Sequence, residues 1–377
     1  MRTRGPQASR VTLFRARTRV LMDQGGVLRR LTRIAATTAV IALALTGCAR
    51  EEDTASEDLC AVEGDGPKVG LAYDVGGRGD QSFNDSAAAG MQKAIDDLGA
   101  TCTEGAAQDG EAESARADRL RSLAEEGHNP IIGVGFAYSE SVNLVAPDFP
   151  EVSFAVIDGF DPDDQPNDNV AYLGFAEHEG SFLVGVAAAM KTEADQVGFV
   201  GGVNSDLIKK FQAGYAAGVE AVNPDIQVDV TYIEETDLKG FNDPAGGKAA
   251  AAAMYEGGAD IVYHASGASG AGVFDAAVEA GEGMWAIGVD SDQYLTATAD
   301  QKEHILTSML KRVDTATFDM VQSVADKEPL VSYQVYDLKA NGVGYSTSGG
   351  FIDDIQSDID EYAEQIKSGE IKVPDAP

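Results

Sequence analysis

From Lys68 onward, short β-branched apolar runs alternate with longer amphipathic stretches, and this alternation leaves the chain few folds to choose from. Strands separated by helices of this length pair in parallel through crossovers, so the pattern argues for α/β layers rather than a sandwich or a bundle. Strands are expected near residues 68–73, 100–103, 130–134, 152–157 and 170–174, with helices near 85–98, 112–126, 139–146 and 178–191. A second series follows, with strands near 197–201, 227–233, 260–264 and 284–289 and helices near 207–222, 244–256 and 270–280. Residues 305–309 read as a further strand, 312–325 as a further helix and 353–367 as a last helix. No sequence repeat relates the two series, yet their element order matches, which implies two similar lobes. Of the 377 residues, 330 follow residue 47, more than a single core normally holds. One lobe is expected to take residues 67–174 plus about 311–330, and the other 175–306 plus about 340–377. Crossovers near 173–177, 306–311 and 330–340 would be the hinges.

The amino-terminal segment is of another kind. Arg29, Arg30 and Arg33 precede an apolar run of 12 residues, Ile34 to Leu45, followed by Thr46, Gly47 and Cys48. A bilayer core needs about 20 apolar residues, so the run reads as an export signal rather than a membrane span. Leu45-Thr46-Gly47-Cys48 resembles a bacterial lipobox, which implies cleavage of residues 1–47 and lipidation of Cys48. An ordinary secretory signal with a chance cysteine is the plainer alternative. Met22 would start a signal of ordinary length, and Arg29-Arg30 alone does not establish twin-arginine export. Residues 48–66 carry Glu51, Glu52, Asp53, Glu57, Asp58, Glu63 and Asp65 with little apolar content and read as an acidic tether.

Charge and cysteine content narrow the function classes. Nine of the 28 basic residues and one of the 62 acidic residues precede Cys48, leaving 19 against 61 and a formal charge of −42. Nucleic acid is excluded as a partner, because phosphate binding needs a basic face. Such a charge favours a soluble monomer, at some cost in self-repulsion. With Cys48 assigned to the anchor, Cys60 and Cys102 are left in an oxidising compartment, where a disulfide is favoured over two buried thiols.

Functional groups are expected beyond the carboxyl ends of the strands, where open parallel sheets present their ligands. The first strand runs into Asp74-Val75-Gly76-Gly77-Arg78-Gly79-Asp80-Gln81-Ser82-Phe83-Asn84, a glycine-rich loop that opens a helix. Ser82 or Asn84 can cap that helix, and the glycines allow close backbone approach to a ligand. Phe83 needs either a core pocket or a ligand to cover it. Gly133-Val134-Gly135-Phe136, Val156-Ile157-Asp158-Gly159, His264-Ala265-Ser266-Gly267 and Ile287-Gly288-Val289-Asp290 end other strands, with Lys311 just beyond the returning one. Aspartates in such places accept hydrogen bonds from ligand hydroxyls, and aromatics stack on a flat ring. Taken singly, each aspartate serves equally well as a helix cap.

Several phrases together resemble the basic membrane protein family. They are Asp80-Gln81-Ser82-Phe83-Asn84, Gly133-Val134-Gly135-Phe136, Phe154-Ala155-Val156-Ile157-Asp158, Gly288-Val289-Asp290-Ser291-Asp292-Gln293 and Leu306-Thr307-Ser308-Met309-Leu310-Lys311. The resemblance spans about residues 68–365. It implies a lipoprotein receptor of an ABC importer, with a two-lobed, type I periplasmic-binding-protein fold that closes on one nucleoside. Its partners would be a nucleoside, purine favoured, together with the ABC permease and its ATPase, and the lipid anchor would hold it on the outer face of the cell membrane. By resemblance, Phe83 and Phe211 sandwich the base, while Asp290 and Lys311 hold ribose hydroxyls. Asp74, Asn84 and Asp158 would contact base edge or ribose, with Ser82, Phe136 and the backbone of Gly267 beside them. On spacing alone, Phe211 also reads as a core-facing helix residue and Lys311 as an exposed lysine at a helix start.

Enzyme readings are weaker. His128, His178, His264 and His304 lack metal-ligand spacing, and His178-Glu179 lacks the second histidine of a zincin helix. Gly267-Ala268-Ser269-Gly270-Ala271 falls one glycine short of a nucleophile elbow, and no Walker A lysine loop is present. Arg78-Gly79-Asp80 matches an adhesion tripeptide by coincidence. A nucleoside hydrolase would suit an α/β sheet with aspartates, but these aspartates lie at separate strand ends rather than in a calcium-binding cluster. A membrane-anchored sensor shares the fold and is separated from a transport receptor only by its partners. No cofactor is expected.

Overall fold

The computed structural model describes residues 59–162 and 165–377; the expected signal segment, the lipidated Cys48 and the tether up to residue 58 lie outside them. Chain order begins with β1 (Lys68–Tyr73), α1 (Phe83–Leu98), β2 (Thr101–Ala106), α2 (Glu113–Glu125), β3 (Ile131–Val134), α3 (Ser139–Val145), β4 (Phe154–Ile157) and β5 (Val170–Phe175). There follow α4 (Glu177–Lys191), β6 (Gln196–Val203), α5 (Asp206–Val222), β7 (Gln227–Glu234), α6 (Pro244–Gly257), β8 (Ile261–Ala265), α7 (Gly270–Ala280) and β9 (Trp285–Asp290). The chain finishes with α8 (Gln293–Thr296), α9 (Ala299–Lys302), β10 (Ile305–Lys311), α10 (Val313–Ala325), β11 (Ser332–Tyr336), β12 (Val343–Tyr345) and α11 (Gln356–Ser368).

Two six-stranded sheets result, ordered β11-β5-β4-β3-β1-β2 and β12-β10-β9-β8-β6-β7. Every pairing is parallel except β12 on β10. The central strands are covered by helices on both faces, so β3, β4 and β8 are buried at every position and read as continuous apolar runs. At the edge, β7 alternates valine and isoleucine with polar residues and is nowhere fully buried. The two sheets correspond strand for strand, β4 to β9, β5 to β10 and β3 to β8. This is the two-lobed α/β architecture of periplasmic binding proteins.

The chain passes between lobes three times. Phe175 ends β5 in the first sheet and Glu177 begins α4, which packs on α5 of the second lobe. Lys311 ends β10 in the second sheet and Val313 begins α10, which packs on α1 of the first. The third passage joins β11 of the first sheet to β12 of the second. Helix α4 is apolar nearly all round and almost wholly buried, as a helix wedged between layers must be. Its contact with α5 depends on small residues: a Cβ at Gly214 or Gly218 would stand 2.1 Å from the carbonyl oxygens of His178 and Phe182.

Three features differ from the sequence expectation. Strand β11 lies in what reads as bare crossover near 330–340, because Ser332–Tyr336 is short and largely exposed, and the three-residue β12 is not expected as a strand. Residues 59–66, read as tether, lie against the first lobe: Leu59 is buried, Cys60 is bonded to Cys102, and Gly66 N donates to Gly99 O. Lys311 is the last residue of β10 and is buried, not an exposed lysine opening a helix.

Candidate functional site

The loop after β1 is a knitted structure rather than a slack connection. Burying the N-terminus of α1 leaves amides without partners, and Asp80 takes three of them, Ser82 N at 3.0 Å, Asn84 N at 2.8 Å and Asp85 N at 3.0 Å. Asp85 accepts Gly79 N at 2.8 Å and Gln81 N at 2.9 Å, closing the loop from the other side. The capping role expected of Ser82 or Asn84 therefore falls to Asp80. Asn84 is thereby released: its Oδ1 accepts Asp74 N at 3.2 Å, which leaves its two N–H donors for the cavity it lines.

Strand register then sets carboxylates in rows. The pairing of Ala72 with Gly133 and of Gly133 with Val156 continues upward to Asp74, Gly135 and Asp158. In the second lobe the pairing of Tyr263 with Ile287 continues to Ser266 and Asp290. Asp158 and Asp290 thus end equivalent strands, and both adopt the left-handed backbone, with φ of 61° and 64°. Non-glycine residues hold that conformation at a cost, which aspartate bears better than most. Gly135 must be glycine, since φ is 110° and a Cβ would stand 2.7 Å from Asp74 Oδ2.

Lys311 occupies the centre. Its Nζ lies 2.6 Å from Asp158 Oδ2 and 3.8 Å from Glu177 Oε1, and 5.0, 5.0 and 5.4 Å from the ring centres of Phe83, Phe175 and Phe211. Burial by itself would push the amine down, but Asp158, Glu177 and Asp290 outweigh it and hold Lys311 raised and charged. Burial raises Glu177, opposed by Lys311, and raises Asp290, opposed by Lys311 and by the Ser82 hydrogen bond. Burial also pushes Asp74 up to about 6. Asp158 Oδ1 is buried without a partner, so the ion pair leaves an acceptor for a ligand hydroxyl.

One cavity of about 550 Å³, counting its mouth, collects these groups from both lobes. Nine expected site residues line it, namely Asp74, Phe83, Asn84, Phe136, Asp158, Phe211, Gly267, Asp290 and Lys311. Phe211 is buried and faces the cavity at the same time, so the core-facing reading and the ligand-facing reading describe one position. Ser82 does not line it. Instead its hydroxyl donates across the lobes to Asp290 Oδ2 at 2.6 Å, and Ser291 Oγ donates back to Ser82 O at 3.1 Å. In this arrangement the Ser82 hydroxyl supports Asp290.

Sequence reading does not reach Phe241, Leu207 and Ile208, and gives Asp80 and Ser266 only as members of their loop and strand-end phrases, without a ligand role. Phe241 ends a 3-10 turn, Leu238–Phe241, and meets Phe136 of the other lobe edge to face at 6.4 Å. An aromatic in a polar, glycine-containing loop is the signal that singled out Phe83, and it applies equally to Phe241. Among the described residues no group of three or more His, Cys, Asp or Glu side chains is placed to hold a metal ion, and no helix is long and apolar enough to cross a membrane.

Comparison with known proteins agrees with this geometry. The model of a family described as ABC transporter substrate-binding protein, PnrA-like, matches residues 68–376. A protein of Listeria monocytogenes serovar 1/2a named CD4+ T-cell-stimulating antigen is 35% identical over 82% of this chain and 88% of its own length. The ABC transporter nucleoside-binding protein BmpA of Lactococcus lactis subsp. cremoris is 32% identical over 89% of this chain and 98% of its own. Among solved structures, an ABC transporter solute-binding protein of Aeropyrum pernix K1 superposes with a TM-score of 0.70 at 28% identity, covering 82% of this chain and 94% of that one.

Proposed function

Because the chain belongs to the family of PnrA-like ABC transporter substrate-binding proteins, we propose that it captures a nucleoside, with purine nucleosides favoured, between its two lobes and hands it to an importer. The observation that carries this reading is the Lys311–Asp158 pair with its unpartnered Asp158 Oδ1, flanked by Asp290 and by the rings of Phe83 and Phe211. The carboxylates accept from vicinal hydroxyls and the ammonium beside them donates to the hydroxyl oxygens, while phenyl rings from opposite lobes cover a flat base. The name of the Lactococcus relative supports the same ligand class.

The division of labour sets the specificity. Stacking accepts most flat rings, whereas a buried polar group left unpaired costs about 1–3 kcal/mol. Nucleosides are therefore held above free bases. Asn84 and Asp74 offer a donor and an acceptor to the base edge. Contacts from both lobes favour the closed arrangement, and only that difference in affinity shifts the equilibrium toward it.

ABC substrate-binding proteins act outside the cytoplasm as binding proteins, not as enzymes. The Leu45-Thr46-Gly47-Cys48 pattern supports attachment to the cell membrane through a lipid on Cys48. Replacing Cys48 with alanine should release the protein into the medium or periplasm and abolish labelling by a fatty acid. A thermal-shift screen against purine and pyrimidine nucleosides, free bases and simple sugars tests the ligand class. At about 100 times its dissociation constant a ligand adds about 2.7 kcal/mol of stability. Stabilisation by nucleosides without product formation is expected; stabilisation by sugars alone would overturn the ligand.

A further inference from the structure

We propose that His264, which does not line the cavity, fixes the Ser266 hydroxyl as a hydrogen-bond acceptor toward it, so that the site selects a base whose edge carries an N–H donor. This rests on the nucleoside reading and refines it.

The chain of hydrogen bonds has one direction. Gln293 Oε1 accepts the backbone N–H of Val289 at 2.8 Å, which identifies that atom as the amide oxygen. His264 Nε2 lies 3.0 Å from the same oxygen, and an amide oxygen only accepts, so Nε2 carries a proton. His264 is fully buried, edge to face with Phe274 at 5.2 Å. Burial pushes it down to about 4 against the opposing Gln293 hydrogen bond. A neutral ring protonated at Nε2 has a bare Nδ1. Ser266 Oγ lies 3.3 Å from that nitrogen and is its partner, so the hydroxyl proton points away from the cavity. What Ser266 offers the ligand is its lone pairs.

The placement gives this consequence. Ser266 immediately follows β8 and precedes Gly267, whose φ of 55° is left-handed; both residues line the cavity. Its row partner is Asp290, with Lys311 on the far side of Asp290, so Ser266 lies toward the base end of a ligand whose ribose sits at Lys311. A freely rotating serine would serve donor and acceptor alike. A serine whose proton is committed discriminates between them. Gly270 packs directly on the His264 ring, where a Cβ would stand 2.0 Å from Cε1.

The test is titration calorimetry on the purified protein with matched nucleosides: adenosine against 6-methoxypurine riboside, and guanosine against inosine. Wild-type protein is expected to favour the donor-bearing member of at least one pair by about tenfold or more. In His264→Phe the freed hydroxyl can donate, so the donor-bearing ligand should weaken while its partner strengthens, bringing the ratio below about threefold. Ser266→Ala, a small change with little risk to folding, should also lose the preference, through weaker binding of the donor-bearing ligand only. An equal loss for both members, or an unchanged ratio in both variants, would overturn the assignment while leaving nucleoside binding intact. Absence of binding by every nucleoside to the wild type would instead overturn the parent reading.

Discussion

Lys311 Nζ lies 2.6 Å from Asp158 Oδ2 and joins the end of β10 in the second lobe to the end of β4 in the first. Both side chains are almost wholly buried, at 2% and 5% exposure, so the pair is a link between lobes as well as part of the ligand wall. Removing the ammonium would strand Asp158, Glu177 and Asp290 in a low dielectric. Lys311→Met should lower stability by about 3–5 kcal/mol, the usual cost of breaking a buried pair, and abolish nucleoside binding. The loss should be smaller at pH 5 than at pH 8, because burial raises Glu177 and Asp290 and their protonation relieves part of the stranded charge; thermal unfolding at the two pH values checks this.

Phe83 covers one side of the cavity from α1 and is only partly buried. Phe83→Ala should weaken nucleoside binding by about 1–3 kcal/mol while leaving the unfolding temperature of the ligand-free protein nearly unchanged. Calorimetry showing undiminished affinity would remove Phe83 from the site.

Asp74 gives stability a pH dependence of definite sign. Burial raises its folded pKa from 3.8 to about 6, so between those values the folded state holds a proton that the unfolded state has lost. Stability from this group should therefore be greatest below about pH 4 and fall as pH rises toward 6. Asp74→Asn should flatten that part of the unfolding profile. A profile that keeps its slope would locate the slope in other carboxyls.

The Cys60–Cys102 bond spans 42 residues and ties the segment before β1 to β2. Replacing both cysteines with alanine should cost about 2–4 kcal/mol, measured by denaturant unfolding, without changing ligand affinity in the folded protein.

Much of this was legible because parallel strands are apolar throughout and their ends carry the functional groups. Asp158 and Asp290 stand where the alternation of elements puts strand ends, whereas Lys311 reads on spacing as a residue beyond its strand and owes its expected role to the family resemblance. Three things were not legible. β11 is an edge strand whose mostly exposed residues resemble loop, and β12 is an edge strand of three residues, too short to show a pattern. Ser82 reads as a ligand residue because its phrase is shared with the family, whereas its hydroxyl crosses the cleft to Asp290. Phe241 and Ser266 enter the cavity from a 3-10 turn and a strand end of the second lobe, where only tertiary placement brings them opposite Phe136 and beside Asp290.

The most direct measurement is titration calorimetry of the purified protein with guanosine, adenosine and inosine beside guanine, adenine, hypoxanthine and ribose. Saturable one-to-one binding of purine nucleosides is expected, with the bases and ribose weaker by about 100-fold or more, since neither alone satisfies both the ring contacts and the Asp158, Asp290 and Lys311 groups. A free base that binds as tightly as its nucleoside, or a sugar that binds where no nucleoside does, would contradict a nucleoside held between the lobes.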